Sequence, residues 1–463
     1  MKVFMLGWEF PPHISGGLGT ACQGLTRALN QAGVEVVFAL PTCVPYAPGC
    51  CVSLRTPASL EERRARRCAE GPPYPFSPGE ARTTLRPVAA ALQPYGTPHR
   101  FEQARGAQGP GDSLEGRCPT AADRPPVSCS GPGRPYEGDL LAQVRRYAEL
   151  ATEVAEGEEF DVVHAHDWMT YPAGLAVARQ TGKPLAVHVH STEFDRCGDH
   201  PDPRVCEIER AGMHAADRVL CVSYFTWRTV CQRYGVAPEK AVVVHNGVDA
   251  PGGEVLNSRP IARSEKVVLF LGRITLQKGP EYFLRAAKRV LEKLPDVRFV
   301  LAGSGDLFGR IVELSAALGI GRHVTFTGFL NGREVSRAFG IADLYVMPSV
   351  SEPFGIAPLE ALAHNVPVIV SRQSGVSEVL RHALKVDFWD IDEMADKMVA
   401  VLTRPALHES LRRNGAMEVR KLTWSAAAQR CIDVYQALSA GAARWNGLLA
   451  AGSQGSLTAA AAG

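Results

Sequence analysis

The chain of 463 residues has little net charge and no long apolar run. Its 50 basic and 48 acidic side chains leave a formal charge of +2. That field is too weak to gather nucleic acid or an anionic membrane, so any anion must be held by local groups. No apolar stretch approaches the roughly 18 residues that cross a bilayer, and no transmembrane segment is expected. Met1 to Gly7 runs into a strand pattern without the apolar core of a signal peptide. No CxxC pairs with another, so the twelve cysteines suggest neither a secreted disulfide scaffold nor a zinc site. A reducing, cytoplasmic setting with no metal is expected. The first strand is not followed by GxGxxG, nor does an acid close the second at Leu40. The dinucleotide fingerprint of an oxidoreductase is therefore missing.

What is present is material for full cores. Hydrophobic residues make up 46% and charged residues 21%. A chain of this length predicts two domains of roughly 200 residues each, and hence a cleft. Apolar runs at Lys2 to Leu6 and Val34 to Leu40 bracket a helical pattern near Cys22 to Gly33, a strand-helix-strand unit that implies a parallel sheet. Between about 41 and 135 proline, glycine and arginine replace that pattern, with only Leu60 to Glu70 readable as a short charged helix. Regular structure resumes at Asp139, with strands at Phe160 to His164, Leu185 to His190, Arg218 to Val222 and Ala241 to Val244. An N-terminal Rossmann-like domain is thus expected over 1–250. Ala250 to Pro260 has hinge composition, and a second doubly wound domain is expected over 259–424. A last helix over 425–438 and a flexible tail over 439–463 complete the reading.

Several loops fall at predicted strand ends. Ser349 to Ala361 places Glu352 and Glu360 eight residues apart after the apolar run Ala342 to Met347. Pro358 suits only the first turn of a helix, which leaves the amides near Phe354, Gly355 and Ile356 as unpaired donors suited to a diphosphate. Leu271 to Gly279 carries Arg273 and Lys278 five residues apart; arginine can grip phosphate oxygens bidentately and lysine adds a compact charge. Gly16 and Gly17 open a turn onto a helix, where backbone can approach a ligand. Two strands end in histidines, His164-Ala165-His166-Asp167-Trp168 and His188-Val189-His190-Ser191-Thr192-Glu193. Strand spacing by itself does not converge the four on a metal.

Taken in order, these motifs resemble the retaining, nucleotide-sugar-dependent glycosyltransferases of the GT-B type (family 4-like), in particular the glycogen and starch synthase-like branch. The resemblance runs through Ser15-Gly16-Gly17, His164 to Trp168, His190 to Glu193, His245 to Asp249, Gly272-Arg273 to Lys278-Gly279, and Glu352 with Glu360. It implies an α/β GT-B fold, two Rossmann-like domains with parallel sheets facing a cleft. It also implies that Arg273 and Lys278 hold the donor diphosphate, Glu352 the donor sugar and Glu360 the ribose. Phe354, Gly355, Ile356, Gly16 and Gly17 would supply backbone contacts, with the base near Leu330. His166 is the histidine expected to contact the sugar, with His164 in reserve. The implied activity is transfer of a hexose, glucose by preference, from UDP- or ADP-glucose to a glucan or other carbohydrate acceptor, with neither cofactor nor metal. The alternatives are a lipid, small-molecule or cell-surface acceptor, or a noncatalytic sugar-nucleotide-binding protein.

Overall fold

In the computed structural model the described residues are 1–11, 16–41, 140–198, 200–249 and 265–441, with the strands Val52–Leu54 and Thr83–Pro87. The first sheet contains β1 (Lys2–Leu6), β2 (Glu35–Leu40), β3 (Val52–Leu54), β4 (Thr83–Pro87), β5 (Val162–His166), β6 (Leu185–Val189), β7 (Arg218–Cys221) and β8 (Ala241–Val243). Its strands lie in the order β3-β4-β2-β1-β5-β6-β7-β8. The second contains β9 (Lys266–Leu271), β10 (Val297–Ala302), β11 (Val324–Gly328), β12 (Leu344–Met347), β13 (Val368–Ser371) and β14 (Leu384–Val386), in the order β11-β10-β9-β12-β13-β14. Every pairing is parallel. This is the doubly wound α/β architecture expected.

The central strands of each sheet are buried on both faces, as parallel strands covered by helices must be. Val3, Phe4, Met5 and Leu6 are all 0% exposed, which is why the run reads as continuously apolar. In each sheet the chain winds outward one way and then the other. The reversal falls between β1 and β5 in the first sheet and between β9 and β12 in the second. Loops at the carboxyl ends of strands beside such a reversal diverge and leave a crevice.

Three differences from the sequence reading shape the first sheet. The first helix starts at Gly17 and runs to Gln31, so the glycine turn leads into it directly. β5 runs from Val162 to His166 rather than Phe160 to His164, which puts both histidines inside the strand. Within the segment read as irregular, Val52–Leu54 and Thr83–Pro87 extend the sheet beyond β2. The expected charged helix at Leu60 to Glu70 and the tail beyond 441 lie outside the described residues.

The closing helix, Trp424–Ser439, does not stay with the second sheet. Its Trp424, Ala428, Cys431, Ile432 and Tyr435 belong to the core of the first, where it packs on the helix Gly17–Gln31. Gly24 makes that approach possible, because a Cβ there would stand 2.2 Å from the Trp424 ring. No helix among the described residues is long and apolar enough to cross a membrane.

Candidate active site

Between the two carboxyl edges lies a cleft of about 640 Å³. From the first sheet come Gly16, Gly17, His190, Ser191 and Asn246. From the second come Arg273, Lys278, Leu330, Glu352, Phe354, Gly355, Ile356 and Glu360. Of the residues given a site role from the sequence, all but His166 and its reserve His164 line this space.

The second-sheet wall is built by the loops after β9 and β12, on either side of the reversal. Lys278 Nζ donates to Glu352 Oε2 at 2.6 Å, and Ser349 Oγ donates to the same oxygen at 3.1 Å. Backbone bonds hold Glu352 in place: its N–H reaches Gln373 O at 2.9 Å, and its carbonyl accepts from Gly375 N at 2.9 Å. Arg273, half-buried, has its guanidinium 3.5 Å from Gln277 Oε1. Gly279 ends the cation loop at φ +65°, where a Cβ would lie 2.1 Å from Pro348 O. Only glycine lets the two loops close so tightly. Gly355 likewise sits at φ +100°, and the amides of Phe354, Gly355 and Ile356 donate to no acceptor among the described residues. Glu360 keeps an edge on the cleft, yet burial and the nearby Asp249 push its carboxyl up to about 7.

The first-sheet wall is of another kind. His166 is 0% exposed, because β5 continues through it and keeps its ring within the sheet's packing. β6 stops at Val189, so His190 is the first residue past the edge and its ring reaches the cleft. His166 Nδ1 lies 2.9 Å from His190 Nε2. Behind them His164 Nδ1 lies 2.6 Å from the Tyr435 hydroxyl of the closing helix. Asp167 takes a left-handed conformation, φ +60°, uncommon outside glycine. From there its Oδ1 accepts the amides of His190 at 2.7 Å and Ser191 at 3.2 Å. Burial pushes its carboxyl up to about 7 against the pull of Arg196. Burial drives all four histidines well down, and in His164, His166 and His188 their neighbours add to it. The rings are therefore neutral at physiological pH.

The packing brings together histidines that spacing alone did not. Ligand atoms of His164, His166 and His188 all lie within 4.8 Å of one another. Their planes run nearly parallel, however: His164 and His188 stack at 5.3 Å and 11°, and His166 and His188 at 5.4 Å and 27°. Metal coordination needs in-plane lone pairs aimed at one point, and stacked rings aim theirs side by side. As it stands the cluster suits mutual packing better than a metal.

The two halves also touch directly. Ser351 Oγ donates to Asp195 Oδ1 at 2.6 Å, and Ser223 Oγ to Pro353 O at 2.5 Å. Glu378 accepts from the amides of Tyr224 at 2.8 Å and Phe225 at 3.2 Å, at the start of the helix Tyr224–Tyr234, and lies 2.7 Å from His245 Nε2.

Sequence reasoning singled out the second histidine strand but not His190 as the one at the cleft; the signal was its place one residue beyond the strand. It picked out the motifs that hold Asn246 and Asp167 but gave neither residue a role; that of the Asp167 carboxylate depends on a backbone angle that residue type does not reveal.

Two doubly wound parallel sheets with their carboxyl edges facing one cleft define a glycosyltransferase of the GT-B type. Residues 254–417 match the glycosyl transferases group 1 family, 103–250 glycosyltransferase family 4, and 2–58 the starch synthase catalytic domain. An uncharacterized glycosyltransferase of Methanocaldococcus jannaschii is 32% identical over 454 residues, covering 94% of this chain and 98% of that relative. D-inositol 3-phosphate glycosyltransferase 1 of Catenulispora acidiphila is 30% identical over 329 residues, covering 66% of this chain and 79% of its own length. The chain belongs to this glycosyltransferase family. Its fold is similar to that of sucrose-phosphate synthase from Thermosynechococcus elongatus, with a TM-score of 0.68 at 19% identity over 95% of this chain and 99% of that one. It is also similar to Anabaena HepE in complex with UDP-glucose, with a TM-score of 0.62 at 15% identity over 94% of this chain and 100% of that one.

Proposed function

We propose that the protein is a retaining hexosyltransferase that moves glucose from UDP-glucose or ADP-glucose to a carbohydrate acceptor. The observation that carries this reading is the Lys278–Glu352 pair beside Arg273, facing Gly16, Gly17 and His190 across the cleft. In that arrangement Arg273, Lys278 and the amides of Phe354 to Ile356 take the diphosphate, Glu360 the ribose diol, and Glu352 the sugar hydroxyls. The base lies by Leu330. His190 contacts the sugar near its reacting carbon, and His166 holds that ring from behind.

The acceptor hydroxyl attacks from the face that the diphosphate leaves, and its proton passes to the departing phosphate oxygen. The bond from the anomeric carbon to the diphosphate breaks as the glycosidic bond forms, with retention of configuration. No protein nucleophile is needed. Charge building on the leaving diphosphate is met by two cations in a partly dry site, where such interactions are strongest. This stabilisation needs no metal. The interdomain contacts at Ser351 and Ser223 keep the walls close enough to exclude water that would hydrolyse the sugar.

The preferred acceptor is a glucan, in keeping with the starch synthase match over 2–58. A small phosphorylated acceptor is the second reading, favoured by the relative named D-inositol 3-phosphate glycosyltransferase. The test incubates the protein with UDP-glucose, ADP-glucose, GDP-mannose or UDP-N-acetylglucosamine, each with maltooligosaccharides, with inositol 3-phosphate, or alone, and measures released nucleoside diphosphate. Release that requires one glucose donor and the glucan supports the first reading. Release that requires inositol phosphate selects the second, and no release or binding with any donor overturns both.

A further inference from the structure

Glu9 follows β1 and lies beneath the turn that carries Gly16 and Gly17. It is 1% exposed, and among the described residues neither carboxylate oxygen has a hydrogen-bond partner. A Cβ on Gly16 would stand 2.6 Å from Glu9 Oε2, so a single layer of backbone separates this acid from the cleft. Nothing in the proposed transfer uses it. Native proteins seldom bury an acid without a partner unless it has a task.

The groups facing Glu9 come from several elements. Arg273, on the loop after β9 in the other sheet, attracts it; Asp167, after β5, repels it; the amides of Gly16 and Gly19 approach it without completing a well-formed hydrogen bond and favour its anion. Cys22, on the helix Gly17–Gln31, also feels its charge, and its thiol is pushed further up by Asp167 and Glu9 after burial itself. An anion held between the Gly16–Gly17 turn and Arg273 alters these surroundings twice, in the same direction. It draws on the positive charge that Arg273 lends to Glu9, and it adds negative charge one backbone layer away. Both changes favour the protonated carboxyl.

We propose that Glu9 takes up a proton from solvent when a sugar nucleotide's diphosphate settles in the cleft and returns it when the diphosphate leaves, so that Glu9 sets how much negative charge the glycine turn accepts. Glu9 is a positioning residue in this scheme, acting through the turn without touching substrate. The inference rests on the reading of the cleft as a diphosphate site. Burial already holds the Glu9 carboxyl at about 7, so the exchange falls near neutrality. His190 is held far below that range and contributes nothing there. Glu360 does titrate near neutrality, but it faces the ribose rather than the phosphates, which allows the two to be separated.

The experiment titrates UDP-glucose into the full-length protein by calorimetry at pH 7 in two buffers of different ionisation enthalpy, then repeats it with uridine. The diphosphate of UDP-glucose carries no proton that titrates near neutrality, so uptake reports the protein. Expected is an uptake with UDP-glucose that exceeds the uptake with uridine by up to about half a proton, with affinity weakening by up to about tenfold per pH unit above pH 7. In Glu9→Gln that excess disappears and the affinity varies less with pH. An excess that survives in Glu9→Gln points to Asp167 and overturns the inference. Equal uptake with UDP-glucose and uridine in the native protein overturns it whether or not the variant folds. ADP-glucose and GDP-mannose are titrated in parallel. If none of the three donors binds, the donor-site reading falls and the inference falls with it, whereas binding without proton uptake removes the inference alone.

Discussion

The two walls of the cleft handle charge in opposite ways. On the second-sheet side Lys278 and Glu352 pair at 2.6 Å with side chains 21% and 8% exposed. Both line the cleft, where each can exchange its partner for a ligand group. On the first-sheet side His164, His166 and Asp167 are 0% exposed and His188 1%, and burial holds the three imidazoles neutral. A wall of this second kind cannot supply strong electrostatic stabilisation. It fixes geometry and presents one ring, His190, at its edge. Transition-state stabilisation should therefore be concentrated in the second-sheet wall and preorganisation in the first-sheet wall.

Breaking the charged wall should have the largest effect. Lys278→Ala is expected to lower kcat by about 10²–10³-fold, the usual cost of removing one preorganised donor to a developing anion. KM should change much less. The control is Glu378→Ala, an acid that binds the two halves together outside the cleft lining; its kcat should fall by less than about tenfold. Equal losses in steady-state assays would show that Lys278 acts through domain closure and not on the leaving group.

The second test compares two histidines 2.9 Å apart. His190→Ala should lower kcat by about 10²-fold, within the range for a positioned side chain at the reacting centre, with little change in melting temperature. His166→Ala should do the reverse, since it empties a buried site and costs about 2–4 kcal/mol. If His166→Ala instead lost kcat while its melting temperature held, the reacting face would lie deeper than the cleft suggests.

Asp167 tests whether preorganisation is measurable by itself. Asp167→Ala removes the acceptor for two amides that hold the His190–Ser191 turn, and about 2–3 kcal/mol of stability is expected to go with them. Asp167→Asn keeps an acceptor oxygen and should recover most of kcat, as single-turnover rates would show.

Within the first-sheet wall, buried acids and buried histidines respond to pH in opposite senses. Glu9 and Asp167 have carboxyls raised to about 7 from ordinary values of 4.5 and 3.8. Their contribution to stability is complete below those ordinary values and is lost progressively as pH rises from there to about 7, where the loss is complete. The histidines, lowered from 6.5, contribute fully above 6.5 and lose that contribution as pH falls. Thermal unfolding should therefore show opposing slopes below about pH 6.5 and a maximum near there, each fully buried group changing stability by up to about 1.4 kcal/mol per pH unit within its own window. Glu9→Gln should steepen the rise in stability between about pH 5 and 7 and leave the dependence above about pH 7 unchanged.

The same contrast explains what the sequence disclosed. Arg273, Lys278, Glu352 and Gly355 were legible because their loops are local: each lies within a few residues of a strand whose apolar run marks where the chain leaves the sheet. The first wall is assembled from pieces distant in sequence. His166 and His190 are separated by a helix and a strand, and which of them faces the cleft depends on where β5 and β6 end, a matter of two residues that apolar patterning does not resolve. Strands β3 and β4 were missed for a related reason. They are short, lie among prolines and glycines, and gain their place by extending the sheet beyond β2.

The smallest expected effect comes from farthest behind the first wall. Tyr435, on the closing helix, is the partner of His164 Nδ1 at 2.6 Å, and His164 Nε2 has no partner among the described residues. Tyr435→Phe keeps the ring and its packing and removes only the hydroxyl, leaving His164 unpaired at both nitrogens. The cost of such a loss is about 1–2 kcal/mol, a fall of a few degrees in melting temperature for a domain of this size. Because the imidazole stays neutral either way, kcat should not change. A loss of kcat in Tyr435→Phe without a loss of stability would mean that the closing helix sets the position of the histidine stack, and through it His190, and that the quiet wall takes part in catalysis from more than 270 residues along the chain.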